Sequence, residues 1–202
     1  MVQRHRSIER LMELLGRLPG VGPKTAERFA YHLLRIGRDD AIAVADAIVE
    51  VRDAVRTCSV CFQLDASDPC TICADETRDR GIILVVEDPR EIARFEEAGW
   101  RGVYHVLQGR VSQLEGIGPD DLTTESLIAR CKRDVVHEVC LANNPDLEGE
   151  GTAQLVAERL RPFCANVTRL ARGMPAGSAI TQLSKSILAD ALDGRRPLQP
   201  PG

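Results

Sequence analysis

The stretch Ile82-Ile83-Leu84-Val85-Val86-Glu87-Asp88 is a five-residue apolar run closed by two carboxylates. Such a run, bounded and rich in β-branched side chains, reads as a strand buried on both faces inside a parallel sheet. Similar runs recur at Val103-Tyr104-His105-Val106-Leu107, at Val135-Val136-His137-Glu138-Val139-Cys140-Leu141 and at Val167-Thr168-Arg169-Leu170-Ala171. Helical spacing lies between them, in Ile92, Phe95 and Ala98, in Leu127, Ile128 and Cys131 after Thr123-Thr124, and from Thr152 to Leu160. The alternation predicts an α/β domain, a parallel sheet with helices on both faces. Ligand sites on such sheets gather at the carboxyl ends of the strands. There the chain places Glu87, Asp88 and Glu91 after the first strand, and Asp146, Glu148 and Glu150 after the third. Converging carboxylates can hold Mg2+ through hard oxygen ligands. They can equally form a solvated rim, with Glu148 and Glu150 favouring the N-terminus of the following helix. The pattern leaves both readings open.

Upstream of the sheet, four of the seven cysteines form Cys58-x-x-Cys61 and Cys70-x-x-Cys73, and the other three stand alone. An odd number grouped in this way argues against a disulfide framework and for a metal. Each pair can turn two thiolates onto one tetrahedral ion, and the eight-residue gap between pairs contains the turn formers Asp65, Ser67, Asp68 and Pro69. A redox site needs neither a second pair nor a loop between pairs, so structural Zn2+ is the expected cofactor. Four thiolates leave no open coordination position, which removes catalysis at this metal. Cys131, Cys140 and Cys164 lie in apolar surroundings and are expected to be buried small hydrophobes.

Ahead of the cysteines, Ile8, Leu11, Met12, Leu15 and Leu18 predict a helix over 8–18 with Ser7 as its N-cap. Leu18-Pro19-Gly20-Val21-Gly22-Pro23-Lys24 then forms a glycine-rich turn, and Thr25, Phe29, Tyr31, Leu33 and Leu34 predict a second helix. Helix, glycine hairpin, helix is the plan of a DNA-binding element. Gly20 and Gly22 let the backbone approach a phosphate, the second helix offers free N–H groups and its positive dipole end, and Lys24 and Arg28 add charge. An ordinary helical hairpin has the same turn without the cations. A third helix, through Ile42, Ala45, Ile48, Val49, Arg52 and Val55, runs directly into the first cysteine pair. Gly116-Ile117-Gly118-Pro119 repeats the glycine pattern, but Asp120-Asp121 follows it and would repel phosphate, so it reads as a turn.

Composition narrows the function. The 202 residues carry 26 Lys+Arg against 30 Asp+Glu, a net charge of −4, and 44% are hydrophobic, enough for one or two modest cores. No apolar run approaches the ~20 residues of a membrane span, and Met1 to Arg6 lacks a signal-peptide core, so a soluble cytoplasmic chain is expected. Only seven aromatic residues are present, which excludes a large base-stacking platform. Residues 1–56 hold ten basic and eight acidic side chains, a weak electrostatic footprint. Any DNA binding must therefore rest on backbone geometry or be multiplied by oligomerisation.

Taken in order, the glycine hairpin, the four cysteines, Val85-Val86-Glu87-Asp88-Pro89, Tyr104-His105-Val106-Leu107, Gly116-Ile117-Gly118-Pro119, Glu148-Gly149-Glu150 and Val167 to Gly177 resemble the RecR family of bacterial recombination proteins. The resemblance spans nearly the whole chain. It implies a multi-module α/β architecture: a helix-hairpin-helix domain over 1–56, a four-cysteine zinc finger over 57–77, a Toprim domain over 78–175, and a C-terminal oligomerisation segment with a flexible tail over 176–202. It also implies a non-catalytic mediator, a homodimer or ring-shaped homotetramer that encircles DNA in the cytoplasm, associated with the nucleoid. Such proteins work with RecO, and in some pathways RecF, to load RecA onto gapped DNA, with no sequence readout at single-strand/double-strand junctions. Gly20, Gly22, Lys24 and Arg28 match the family's DNA-contacting positions, and Glu87, Glu91, Glu148 and Glu150 match the acidic Toprim cluster that contacts RecO. In related topoisomerases and primases that cluster binds Mg2+ and drives phosphoryl chemistry, so a magnesium-dependent enzyme is the competing reading, and an adaptor that never touches DNA a third. The Glu-x-Glu here differs from the Asp-x-Asp of those enzymes.

The chain departs from the family after Pro175-Ala176-Gly177. Ser178-Ala179-Ile180-Thr181-Gln182-Leu183-Ser184-Lys185-Ser186 stands where members carry an acidic, tyrosine-containing run likened to a Walker B element. Ile180, Leu183, Ile187, Leu188 and Leu192 still form an apolar stripe, which predicts a packing role for this segment. The tail from Arg195 to Gly202 is rich in proline and is expected to be disordered.

Overall fold

The sheet begins at the predicted apolar run. A computed structural model of the protein describes residues 4–175 and 177–195. It divides into two compact units, Met1–Arg56 and Thr57–Gly202.

The first unit is three helices, α1 (Arg6–Leu15), α2 (Pro23–Arg35) and α3 (Arg38–Ala54). His5, not Ser7, caps α1: its Nδ1 accepts the Ser7 N–H at 3.3 Å. The helix stops at Leu15, short of the predicted Leu18, because after the last helical bond, Gly16 N–H to Met12 O at 2.9 Å, the Arg17 and Leu18 N–H groups turn to the tighter acceptors Leu14 O and Leu15 O, at 3.2 Å each. Val21 N–H to Leu18 O, 3.0 Å, closes the hairpin. Among the described residues of this unit only Ala26 and Ala30, both on α2, are buried.

The second unit opens with the short ladder β1 (Arg56–Thr57) and β2 (Leu64–Asp65), followed by α4 (Thr71–Ala74), and these elements carry the four cysteines. Then come β3 (Asp79–Val86), α5 (Ile92–Glu97), β4 (Gly102–Val106), α6 (Thr124–Arg133), β5 (Glu138–Leu141), α7 (Leu147–Leu160), β6 (Val167–Arg169) and α8 (Lys185–Asp193). The four-stranded sheet has the order β4-β3-β5-β6 and every pairing is parallel, with Leu84 level with Tyr104 on one side and Cys140 on the other. The strand expected over 135–141 is shorter, since Val135 is 78% exposed just beyond α6 and pairing starts at Glu138.

Strand alternation sends neighbours to opposite faces. Ile83 and Val85 join Leu127, Ile128, Cys131, Val156, Leu160 and Cys164 in a core beneath α6 and α7. Leu84 and Val86 join Ile92, Tyr104, Val106 and Cys140 on the other face, which Phe95 and Trp100 cover together with Phe62 and Ile72 of the cysteine module. All three single cysteines are buried, as expected. At the C-terminus, Leu183, Ile187 and Leu188 are half-buried, whereas Ile180 and Leu192 are exposed, so the predicted stripe packs over only part of its length. Residues 196–202, expected to be disordered, lie outside the described residues.

Candidate functional site

Each of the three predicted sites is built by a turn that the sequence dictates. In the hairpin, Gly20 has φ +76°, a conformation glycine adopts without strain, and Gly22 is the N-cap of α2 with Pro23 at its first position. A Cβ at Gly20 or at Gly22 would meet nothing within 4 Å, so the backbone here faces open space. Thr25 and Ala26 donate to Gly22 O, at 3.0 and 2.9 Å, leaving the Gly22 and Lys24 N–H groups without an acceptor among the described residues. Lys24 and Arg28 are exposed on the first turns of the same helix, and neither forms an ion pair among the described residues, whereas Arg4 pairs with Glu27 and Arg17 with Glu13. Free N–H groups, a helix dipole and two uncompensated cations together suit an anion.

The four cysteines are buried in one cluster, with their ligand atoms within 4.8 Å of one another. Tetrahedral zinc–thiolate geometry at about 2.3 Å sets sulfurs ~3.8 Å apart; Cys61 and Cys70 Sγ stand at 3.5 Å. Backbone N–H groups of Val60 and Cys70 point at Cys58 Sγ at 3.4 and 3.3 Å, and that of Cys73 at Cys70 Sγ at 3.4 Å. These donors stabilise thiolates, so the set fits a divalent ion in both chemistry and shape. Hydrogen bonds from Cys61 and then Cys73 hold the Cys70 thiol down to about 2, and the contact with Cys70, followed by Cys73 and burial, pushes Cys61 up. The module is tied to the sheet: Val106 N–H donates to Cys61 O at 2.8 Å and Gln108 Nε2 to Phe62 O at 2.6 Å.

At the carboxyl ends of the strands, each predicted carboxylate is already engaged by the protein. Glu87, 5% exposed, accepts from Asn143 Nδ2 (3.1 Å), the Asn144 N–H (3.1 Å) and Asn144 Nδ2 (2.7 Å). Glu91 closes a capping box on the Glu87 and Asp88 N–H groups (3.0 and 3.3 Å) and accepts from Asn144 Nδ2 at 3.1 Å. Asp146 caps α7 through the Gly149 N–H at 2.8 Å, and this bond, then Arg110, holds its carboxyl below the usual range. Glu148 takes Ser112 Oγ at 2.6 Å and Arg110 Nη2 at 3.0 Å, while Glu150 pairs with Arg169 and Arg172. Gly149 permits the close approach, since a Cβ there would lie 2.1 Å from Asn144 O and 2.9 Å from Glu87 Oε1. Glu87 and Glu91 thus share Asn144, but Glu148 and Glu150 are drawn to separate arginines. Among the described residues the cysteines alone gather as a metal-holding group.

Comparison with known proteins fits this geometry. A family model described as RecR, helix-hairpin-helix, matches residues 8–52, one described as the RecR four-cysteine zinc finger domain matches 55–75, and one described as Toprim domain matches 81–171. The Recombination protein RecR of Desulforudis audaxviator is 46% identical over 196 residues, 96% of this chain and 99% of the relative. The Recombination protein RecR of Heliobacterium modesticaldum is 46% identical over 192 residues, 95% of this chain and 96% of the relative. That of Staphylococcus aureus strain Newman is 43% identical over 189 residues, 93% and 96%. The chain belongs to the RecR family. In this RecR-family chain the hairpin, the cysteines and the carboxylates each fall inside the matching domain. Among the described residues no helix is long and apolar enough to cross a membrane.

Sequence reasoning missed the partners of the acids: Arg110, Ser112, Asn143, Asn144, Arg169 and Arg172. Asn143-Asn144 directly follows a strand at its carboxyl end, and that position alone was a usable signal. Arg110 and Arg172 come from loops and Arg169 from the end of β6, and only the fold brings them in.

Proposed function

We propose that this RecR-family protein is a DNA-binding recombination mediator that multiplies a weak phosphate contact by self-association into a ring-like clamp. It works with RecO, and in some pathways RecF, to load RecA on gapped DNA. The observation that carries this reading is the hairpin, where open glycine backbone, the free N–H groups at the start of α2 and the unpaired Lys24 and Arg28 converge. Recognition of this kind reads phosphates without reading bases.

Self-association is supported by α3, which buries none of its own residues. Val44, Ile48, Val51 and Val55 recur every three or four positions along it, with Ile48 63% and Val51 59% exposed. Such a stripe fits a second copy of the chain. Structural Zn2+ on Cys58, Cys61, Cys70 and Cys73 holds the module that covers one face of the sheet. A non-catalytic role for the Toprim acids is supported by the protein donors already on them, with Glu91, Glu148 and Glu150 at a partner surface that the buried Glu87 braces through Asn143 and Asn144, rather than the four coordinating Mg2+.

The test is fluorescence anisotropy on a gapped oligonucleotide across a salt series. Lys24→Ala/Arg28→Ala is expected to weaken binding and to flatten the salt dependence by about one unit of slope per cation lost. Unchanged affinity and slope would refute the hairpin assignment.

A further inference from the structure

The amino end of the sheet, opposite the carboxylates, holds a cavity of about 410 Å³ lined by Val60, Val103, Val135, Arg80, Arg130, Arg133 and Asp134, among others. Arg80 comes from the start of β3, Arg130 and Arg133 from the last turn of α6, and Val60 from the cysteine module. The three guanidiniums have unlike partners. Arg133 is neutralised by Asp134 in a bidentate pair, Nε to Oδ1 at 2.8 Å and Nη2 to Oδ2 at 3.0 Å. Arg80 donates to Cys73 O at 3.1 Å, and Arg130 donates through Nη1 to Tyr104 O at 2.7 Å. A carbonyl satisfies a donor without cancelling the charge. Arg130 is only 7% exposed and its Nε stands 3.9 Å from Asp134, beyond hydrogen-bond reach. A buried guanidinium whose one carboxylate, at 3.9 Å, is already hydrogen-bonded to Arg133 is only partly compensated, and an anion in the cavity would complete that compensation.

We infer that this cavity is a phosphate-binding site, with Arg80 and Arg130 as the cationic donors and Val60, Val103 and Val135 as an apolar wall. Three guanidiniums face one carboxylate and the Cys73 thiolate, which leaves an excess of positive charge in a concave site. A phosphate group, with several anionic oxygens, matches that excess better than a single carboxylate does, and the guanidinium fork fits its geometry. No aromatic ring lines the cavity, so the group recognised is the phosphate and not a stacked base. Arg133 first, then Arg130 and Arg80, hold the Asp134 carboxyl below the usual range. The site is separate from the hairpin in sequence, and does not depend on the hairpin reading.

The test uses full-length, zinc-loaded protein titrated calorimetrically with inorganic phosphate. Wild type is expected to bind saturably, and Arg80→Ala to bind about tenfold more weakly, the cost of one charge-assisted contact. Arg80 is exposed, so zinc content and melting should be unchanged, and Arg80→Lys should retain most of the binding. In a Lys24→Ala/Arg28→Ala background, which removes the hairpin cations, Arg80→Ala should still cost about tenfold in phosphate binding, which separates this site from the hairpin. A second arm compares single-stranded oligonucleotides with and without a 5′-phosphate. A smaller salt slope in Arg80→Ala for both assigns the cavity to strand phosphates, an effect confined to the 5′-phosphorylated strand assigns it to a terminal phosphate, and an effect on inorganic phosphate alone assigns it to a free ion. Each of these supports the site. No saturable binding by wild type, equal binding by Arg80→Ala, or tighter binding of a short peptide ending in Asp would overturn it.

Discussion

The two compact units of the chain differ in what completes them. The sheet unit has an apolar core on each face and carries its own metal ligands, whereas the three-helix unit buries only Ala26 and Ala30 among its described residues. Burial stabilises at about 25 cal/mol per Å² of apolar surface, so two buried alanines contribute little and the exposed valines and isoleucines of α3 contribute nothing until covered. The lesson is that the sheet unit carries its own cores and metal ligands, while the hairpin unit, in the reading proposed above, is completed by association for both stability and binding. Its charges tell the same story, since Lys24 and Arg28 are uncompensated while the carboxylates of the sheet unit are matched by asparagines and arginines.

The largest effect should come from removing the metal that supports the platform. Cys70→Ser/Cys73→Ser is expected to lose zinc and to melt far below wild type, because zinc-binding energy is folding energy, on the order of 10 kcal/mol in small fingers. Metal analysis and calorimetry check this, and unchanged melting would show that the sheet unit does not need the module. Next, Gly149→Ala should destabilise by about 2–3 kcal/mol, an overpacking cost, since the added Cβ collides with Asn144 O and crowds Glu87. Denaturant melts read this directly, and a neutral result would mean that the start of α7 is free to shift.

A smaller, pH-dependent effect belongs to His105. It is fully buried, its Nε2 meets Thr123 Oγ1 at 2.9 Å, its Nδ1 has no hydrogen-bond partner among the described residues, and burial lowers its pKa to about 3. The folded pKa lies below the unfolded value of about 6.5, so its neutral form supports the fold fully above pH 6.5. That support is lost as pH falls towards 3, by about 1.4 kcal/mol per unit. Stability measured from pH 7 to 5 should fall more steeply in wild type than in His105→Gln, and parallel curves would contradict the assignment.

Much of this contrast was legible in sequence. The run Ile82–Val86 and its successors predicted the parallel sheet, because a period of apolar residues reports burial directly. Cysteine spacing predicted the metal cluster for the same local reason. Element ends were less legible: α1 starts from His5, not Ser7, and stops at Leu15, because Arg17 and Leu18 make tighter three-residue turns although the apolar period continues to Leu18. The acids were placed correctly at strand ends, but their partners were not seen. Arg110 reaches Glu148 across 38 positions and Asn144 reaches Glu87 across 57, and no local pattern encodes contacts of that span. The arginine cavity was invisible for the same reason, since its three guanidiniums come from two elements far apart in sequence.

The most direct test is the solution mass by light scattering across concentration and salt, for wild type and for Ile48→Asp/Val51→Asp. The expected result is a dimer or tetramer for wild type, and a monomer with weak DNA binding for the variant, whose zinc content and sheet unit remain intact. A wild-type monomer at every concentration, or a variant that associates and binds DNA as wild type does, would contradict the claim that association completes the hairpin unit.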